Sequence, residues 1–108
     1  MIDMKWSRSE KAIARQAFER ALERDFASLI HEAKQRAGRM QTRDDLWKLE
    51  AWLTERREEI GQLYDYRYSV LPIVFARLLR KGTLSEEDLI GLGQEKIDLI
   101  RRGAAVSG

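Results

Sequence analysis

The chain has 108 residues, 35% of them charged and 44% apolar, with a formal net charge of +2; that is the size of one domain. The absence of cysteine removes disulfide and thiolate chemistry, and so small a positive excess does not make the basic coat of a nucleic-acid binder. No run approaches the roughly 20 apolar residues of a membrane span, and Met1–Lys5 lacks the apolar core of a signal peptide, so a soluble cytoplasmic protein is expected.

Strand signals are nearly absent; Ala, Leu, Glu, Arg and Lys dominate, all good helix formers. Ser7, with Glu10 three residues on, reads as a capping box. Ile13, Ala17, Ala21, Leu22, Phe26, Leu29, Ile30 and Ala33 recur at helical spacing. A first helix over about 8–37 is expected, ended by Gly38 in a left-handed conformation. Thr42 and Asp45 form a second capping box, with Asp44 and Asp45 where the helix dipole favours negative charge. Leu46, Leu49, Leu53, Ile60, Leu63, Tyr64, Val70, Val74, Phe75 and Leu78 extend the apolar stripe. A second helix over about 43–70 is expected, weakened at Gly61 and broken or kinked around 69–72 by Pro72. A C-terminal head over about 71–102 follows, in which Lys81-Gly82 closes one helix and Thr83 or Ser85 caps the last. That last helix carries Leu89, Ile90, Leu92, Lys96, Ile97 and Ile100, and the tail from Gly103 is expected to fray. A single all-helical domain over 1–108 results.

At 1.5 Å per residue the first helix is about 44 Å long and the second, if continuous, about 55 Å. A compact chain of this size has a radius of gyration of only about 13 Å. Helices that long overhang, and their apolar stripes need a second chain. An elongated antiparallel helical homodimer is the simplest solution, with Leu46, Leu49, Leu53 and Ile60 as its seam. A monomeric bundle broken at Gly61 and Pro72 is the alternative.

The chemistry of an enzyme is missing. His31 sits beside Leu29 and Ile30 and reads as a partly buried packing residue. No metal-ligand spacing appears, and Glu58-Glu59 reads as a solvated face. Gly91-Leu92-Gly93 lies within a helix pattern, without the strand that a phosphate loop requires. No catalytic residue, metal, cofactor or small-molecule substrate is expected.

A partner is expected instead. Trp47 lies about 100° around the helix from Leu46, off the stripe, and Trp52 lies near Lys48. Partly exposed Trp and Arg dominate binding energy at protein interfaces, and the planar fork of Arg57 suits a carboxylate or an aromatic ring. The bland alternative packs both tryptophans in the dimer seam and leaves Arg56 and Arg57 as solubility charges. The candidate partner-binding residues are Asp44, Asp45, Trp47, Lys48, Glu50, Trp52 and Arg57.

The order Asp44-Asp45-Leu46-Trp47-Lys48-Leu49, Arg57, Tyr64-Asp65-x-Arg67-x-Ser69-Val70 and Val74-Phe75-Ala76-x-Leu78-Leu79 resembles the fluorescence recovery protein family of cyanobacteria over residues 42–80. The resemblance implies an all-helical, dimeric, non-enzymatic regulator. It implies binding to the C-terminal domain of photoactivated orange carotenoid protein, or to a homologous carotenoid-binding domain. Its effect there is a faster red-to-orange return, ending phycobilisome fluorescence quenching. It also implies a cytoplasmic place, at the periphery of the thylakoid or phycobilisome. Carried over by position, Trp47 and Arg57 match functional residues of the family, and Asp44, Asp45 and Lys48 match its local motif. The chain departs from the pattern at Glu50-Ala51, where the family has His-Asp, and at Pro72-Ile73, where it has Ile-Phe. Two rival readings are a dimeric helical scaffold for another partner, and a nucleic-acid binder using Arg36, Arg39 and Arg43.

Overall fold

The computed structural model describes residues 4–106, so Met1–Asp3 of the N-terminal reading and the last two residues of the tail lie outside it. Four α-helices follow in order: α1 Arg8–Gly38, α2 Arg43–Leu63, α3 Leu71–Lys81 and α4 Gln94–Ala105, with one 3₁₀ turn at Glu86–Leu89. The described residues form no extended strand, in line with the all-α expectation. The molecule measures 53 × 24 × 21 Å, with a radius of gyration of 16.7 Å. That exceeds the about 13 Å of a compact chain this long, so the shape is elongated.

Both expected capping boxes form. Ser7 Oγ accepts from the Glu10 N–H at 3.1 Å while Glu10 Oε1 accepts from the Ser7 N–H at 3.0 Å. Thr42 Oγ1 accepts from the Asp45 N–H at 3.1 Å, and Asp45 Oδ2 accepts from the N–H groups of Gln41 and Thr42 at 3.0 and 3.2 Å. These contacts satisfy amide donors that a helix start leaves unpaired. Gly38, however, is helical rather than left-handed. Arg39 ends α1 in a right-handed conformation, its N–H shared between Ala37 and Arg36.

The second helix stops at Leu63, seven residues before the expected end and ahead of Pro72. Tyr64 leaves the helix at φ −92°, ψ 91°. Its hydroxyl bonds Asp25 Oδ2 of α1, and its ring meets Phe18 edge-on at 5.3 Å. Those tertiary contacts outweigh the local preference to continue. Pro72 instead sits in the first turn of α3, where its missing N–H leaves no bond unmade. The 64–70 connection lies along α1 through a row of aromatic rings, Trp6, Tyr68, Tyr66, Phe18 and Tyr64, with centroids 4.9 to 5.6 Å apart. Arg15 covers Tyr66 at 3.9 Å, a cation–π contact.

The last helix is also divided. Gly91 takes φ 106°, and a Cβ there would lie 2.1 Å from Ile13 Cδ1. The chain therefore turns between the 3₁₀ element and α4, against α1, so that Gly91-Leu92-Gly93 is a turn rather than mid-helix. The helix then runs through Gly103 to Ala105, past the expected point of fraying.

The core is the head. Ala14, Ala17, Phe18 and Ala21 of α1 pack with Leu71, Val74, Phe75 and Leu78 of α3, and with Leu84, Leu89, Leu92 and Ile100. The alanines let α1 approach closely. Each fully buried large side chain, Phe75 and Leu78 among them, contributes about 1.5–3 kcal/mol. Beyond Asp25, α1 leaves the head and pairs with α2 as a two-helix stalk.

A candidate protein-docking surface

Among the described residues, none from α2 is buried within the single chain. A helix of 21 residues with an apolar stripe and no buried side chain is an incomplete structure. The stripe and the facing part of α1 line an open groove of 660 Å³, formed by Phe26, Leu29, Leu46, Leu49, Leu53 and Ile60, with Glu50, Thr54 and Arg57 along its side. Leu46 is 46% exposed, Phe26 44% and Ile30 53%.

Trp47 is 58% exposed and stands outside the groove. Beside it, Lys48 Nζ bonds Asp44 Oδ2 at 3.1 Å across one helical turn, and Asp44 holds the ammonium's pKa above its ordinary value. Asp45 is spent on the helix cap; the Gln41 and Thr42 amides lower its pKa. Trp52 turns toward α1, where the Arg36 guanidinium lies 4.3 Å from its ring. The two tryptophans therefore belong to opposite sides of α2. Arg56 pairs with Glu59 at 2.6 Å and Glu55 at 3.3 Å. Arg57 and Glu50 are exposed on the groove. His31 is exposed too, not a packing residue as expected, because it faces away from both α2 and the head.

Three polar clusters join segments far apart in sequence. Asp25 joins stalk to head: Oδ2 accepts from Tyr64, and Oδ1 from Lys81 Nζ at 3.0 Å and Thr83 Oγ1 at 3.4 Å. Burial and the adjacent carboxylate push the Tyr64 phenol well above its ordinary pKa. Arg24 grips Asp88 with both terminal nitrogens, at 2.8 and 3.2 Å, and Asp88 also caps Ser85; its carboxyl falls to about 2. Glu10 binds the Gly93 N–H at 2.8 Å and buried Lys96 at 3.1 Å. The Ser7 and Gly93 amides, with Lys96, lower the Glu10 pKa to about 2. Lysine within the apolar pattern of α4 was the only sequence signal for this last cluster.

No group of three or more potential metal ligands, and no helix long and apolar enough to cross a membrane, occurs among the described residues. Fold and surface together define an elongated all-helical protein whose distinctive chemistry lies on an open face. Residues 6–102 match the family described as photoprotection regulator fluorescence recovery protein. The chain is 36% identical over 96 residues to the fluorescence recovery protein of Synechocystis sp., covering 89% of this chain and 88% of that one. Its fold superposes on the Fremyella diplosiphon fluorescence recovery protein with a TM-score of 0.90 at 37% identity. The Synechocystis structure matches with a TM-score of 0.90 at 35% identity; each comparison covers 94% of this chain and 100% of the other. This chain belongs to the fluorescence recovery protein family of photoprotection regulators.

Proposed function

We propose that the chain is a non-enzymatic regulator that works in the cytoplasm as a homodimer and binds orange carotenoid protein or a homologous carotenoid-binding domain. It speeds the return of the photoactivated red form to orange and so ends phycobilisome quenching. Family membership across nearly the whole chain carries this reading. The uncovered groove supports the dimer, since covering each large apolar side chain is worth about 1.5–3 kcal/mol. Trp47, with Lys48 and Asp44 beside it, is the exposed contact offered to the carotenoid protein, and Arg57 and Glu50 border it. Asp45 contributes by holding the start of α2, and Trp52 by holding the stalk.

The action requires differential affinity. A protein that accelerates relaxation binds the barrier state or an intermediate more tightly than the activated state, and one that shifts the equilibrium prefers one conformation. The test mixes purified protein with photoactivated orange carotenoid protein and follows the red-to-orange absorbance change. A recovery rate that rises with added dimer supports the proposal; an unchanged rate at excess removes it. Ala51, standing where the resemblance places an acid, favours a second reading, a dimeric helical scaffold for a different partner. That reading predicts a stable dimer and no effect on recovery.

A further inference from the structure

The head carries an open cleft of 620 Å³ where α3 passes α4, and it shares no residue with the groove on the stalk. Ile73, Ala76, Arg77 and Arg80 lie on one face of α3, at spacings of three and four residues. Leu99, Arg102, Gly103 and Val106 repeat that spacing along α4 and the residue that follows it. The two helices meet at their small residues: a Cβ on Gly103 would lie 2.8 Å from the Ala76 Cβ. One turn further along α3, Arg80 Nη1 donates to the Val106 carbonyl at 2.6 Å. These two contacts run in the same order along both helices. Ile73 and Leu99 therefore lie at one end of the cleft, and Arg77, Arg102 and Arg80 follow from its middle to the other end.

Ile73 is 53% exposed and Val106 61%, although both are aliphatic. The three arginines are exposed as well, and among the described residues none of them makes an ion pair. Among the described residues the lining includes no carboxylate, amide or aromatic side chain, and Ser69 supplies its one hydroxyl. Such a surface rewards aliphatic area and negative charge, and little else. A carboxylate matches the planar fork of a guanidinium and bonds it through both oxygens. The volume falls within the about 300–1,000 Å³ of small-ligand sites, and Ile73 to Arg80 spans about 10 Å of helix. We propose that this cleft binds a fatty-acid carboxylate, with its chain over Ile73, Ala76 and Leu99 and its headgroup among Arg77, Arg80 and Arg102. The site uses neither the α2 face nor Trp47, so its occupancy is a property distinct from the partner binding proposed above.

Calorimetric titration with sodium dodecanoate, kept below the concentration at which it forms micelles, tests this. Amide shifts in isotope-labelled protein locate the ligand. Saturable binding is expected, with the shifts centred on α3 and α4. Shortening the chain to decanoate weakens binding by up to about fourfold for each methylene lost. Acetate, a headgroup without a chain, and dodecyltrimethylammonium, the same chain on a cation, leave the cleft empty. The double exchange Arg77→Gln/Arg102→Gln weakens dodecanoate by about tenfold or more, and Ile73→Ser weakens it as well. Far-ultraviolet dichroism stays that of wild type in both, because these side chains are exposed. Equal affinity for the cationic amphiphile, or a double variant that binds dodecanoate as wild type does, overturns the proposal. Shifts centred on the stalk groove overturn the site. Binding to vesicles of phosphatidylglycerol with none to dodecanoate overturns the fatty acid in favour of a membrane surface.

Discussion

The Tyr64 hydroxyl donates to Asp25 Oδ2 at 2.5 Å, joining residues 39 apart in sequence. Asp25 also accepts from Lys81 and Thr83, so one carboxylate fixes where α2 ends, how α3 ends and where α1 leaves the head. Tyr64→Phe keeps the edge-on ring contact with Phe18 and removes only the hydroxyl. It should destabilise by about 1.5–3 kcal/mol, the range for a hydrogen bond to a charged group. Asp25→Ala loses three bonds and should cost more. Urea unfolding followed by dichroism checks the order of the two.

Acid should weaken the head in a defined window. Glu10 and Asp88 both have folded-state pKa values of about 2, below those of unfolded carboxylates. Their contribution is therefore complete above about pH 5 and is lost as pH falls toward 2. Glu10→Gln and Asp88→Asn should each flatten this acid limb while lowering stability at neutral pH. A urea midpoint measured from pH 7 to 2 reads both effects; an unchanged slope in the variants would reject the assignment.

Two glycines should respond in opposite directions. Gly91 takes a left-handed φ and has Ile13 against it, so Gly91→Ala should destabilise by about 1–3 kcal/mol. Gly61 lies in an exposed stretch of α2 with nothing within 4 Å of an added Cβ. Gly61→Ala should stabilise by about 0.5–1 kcal/mol. The pair of melting temperatures decides it.

The tryptophans should separate binding from structure. Trp47→Ala should leave stability within about 0.5 kcal/mol, yet weaken capture of the carotenoid protein by about 2 kcal/mol or more. Trp52→Ala removes the ring beneath Arg36 and should lower the melting temperature instead. Calorimetric titration and thermal unfolding, run on both variants, distinguish the roles.

Local signals were legible in the sequence and long-range ones were not. Ser7 with Glu10, and Thr42 with Asp45, are neighbours in sequence, so both helix starts could be read directly. The end of α2 depends on Asp25 and Phe18, which no window around Tyr64 contains. Gly91 splits the last helix because Ile13 presses on it from the far end of the chain. The exposure of Trp47 could be read from helical phase, since position around α2 follows from angle. Asp45 shows the limit of that method: its side chain is occupied by the cap, which phase does not reveal. Lys96 sits within the pattern of the last helix, but its partner Glu10 lies 86 residues away.

That distance orders the assembly of the molecule. The α1–α2 stalk is made of contacts between neighbouring segments, and such contacts form early and quickly. The head closes only when Glu10 meets Gly93 and Lys96, after almost all of the described chain is available. During synthesis the groove is therefore complete and uncovered while the head is still open.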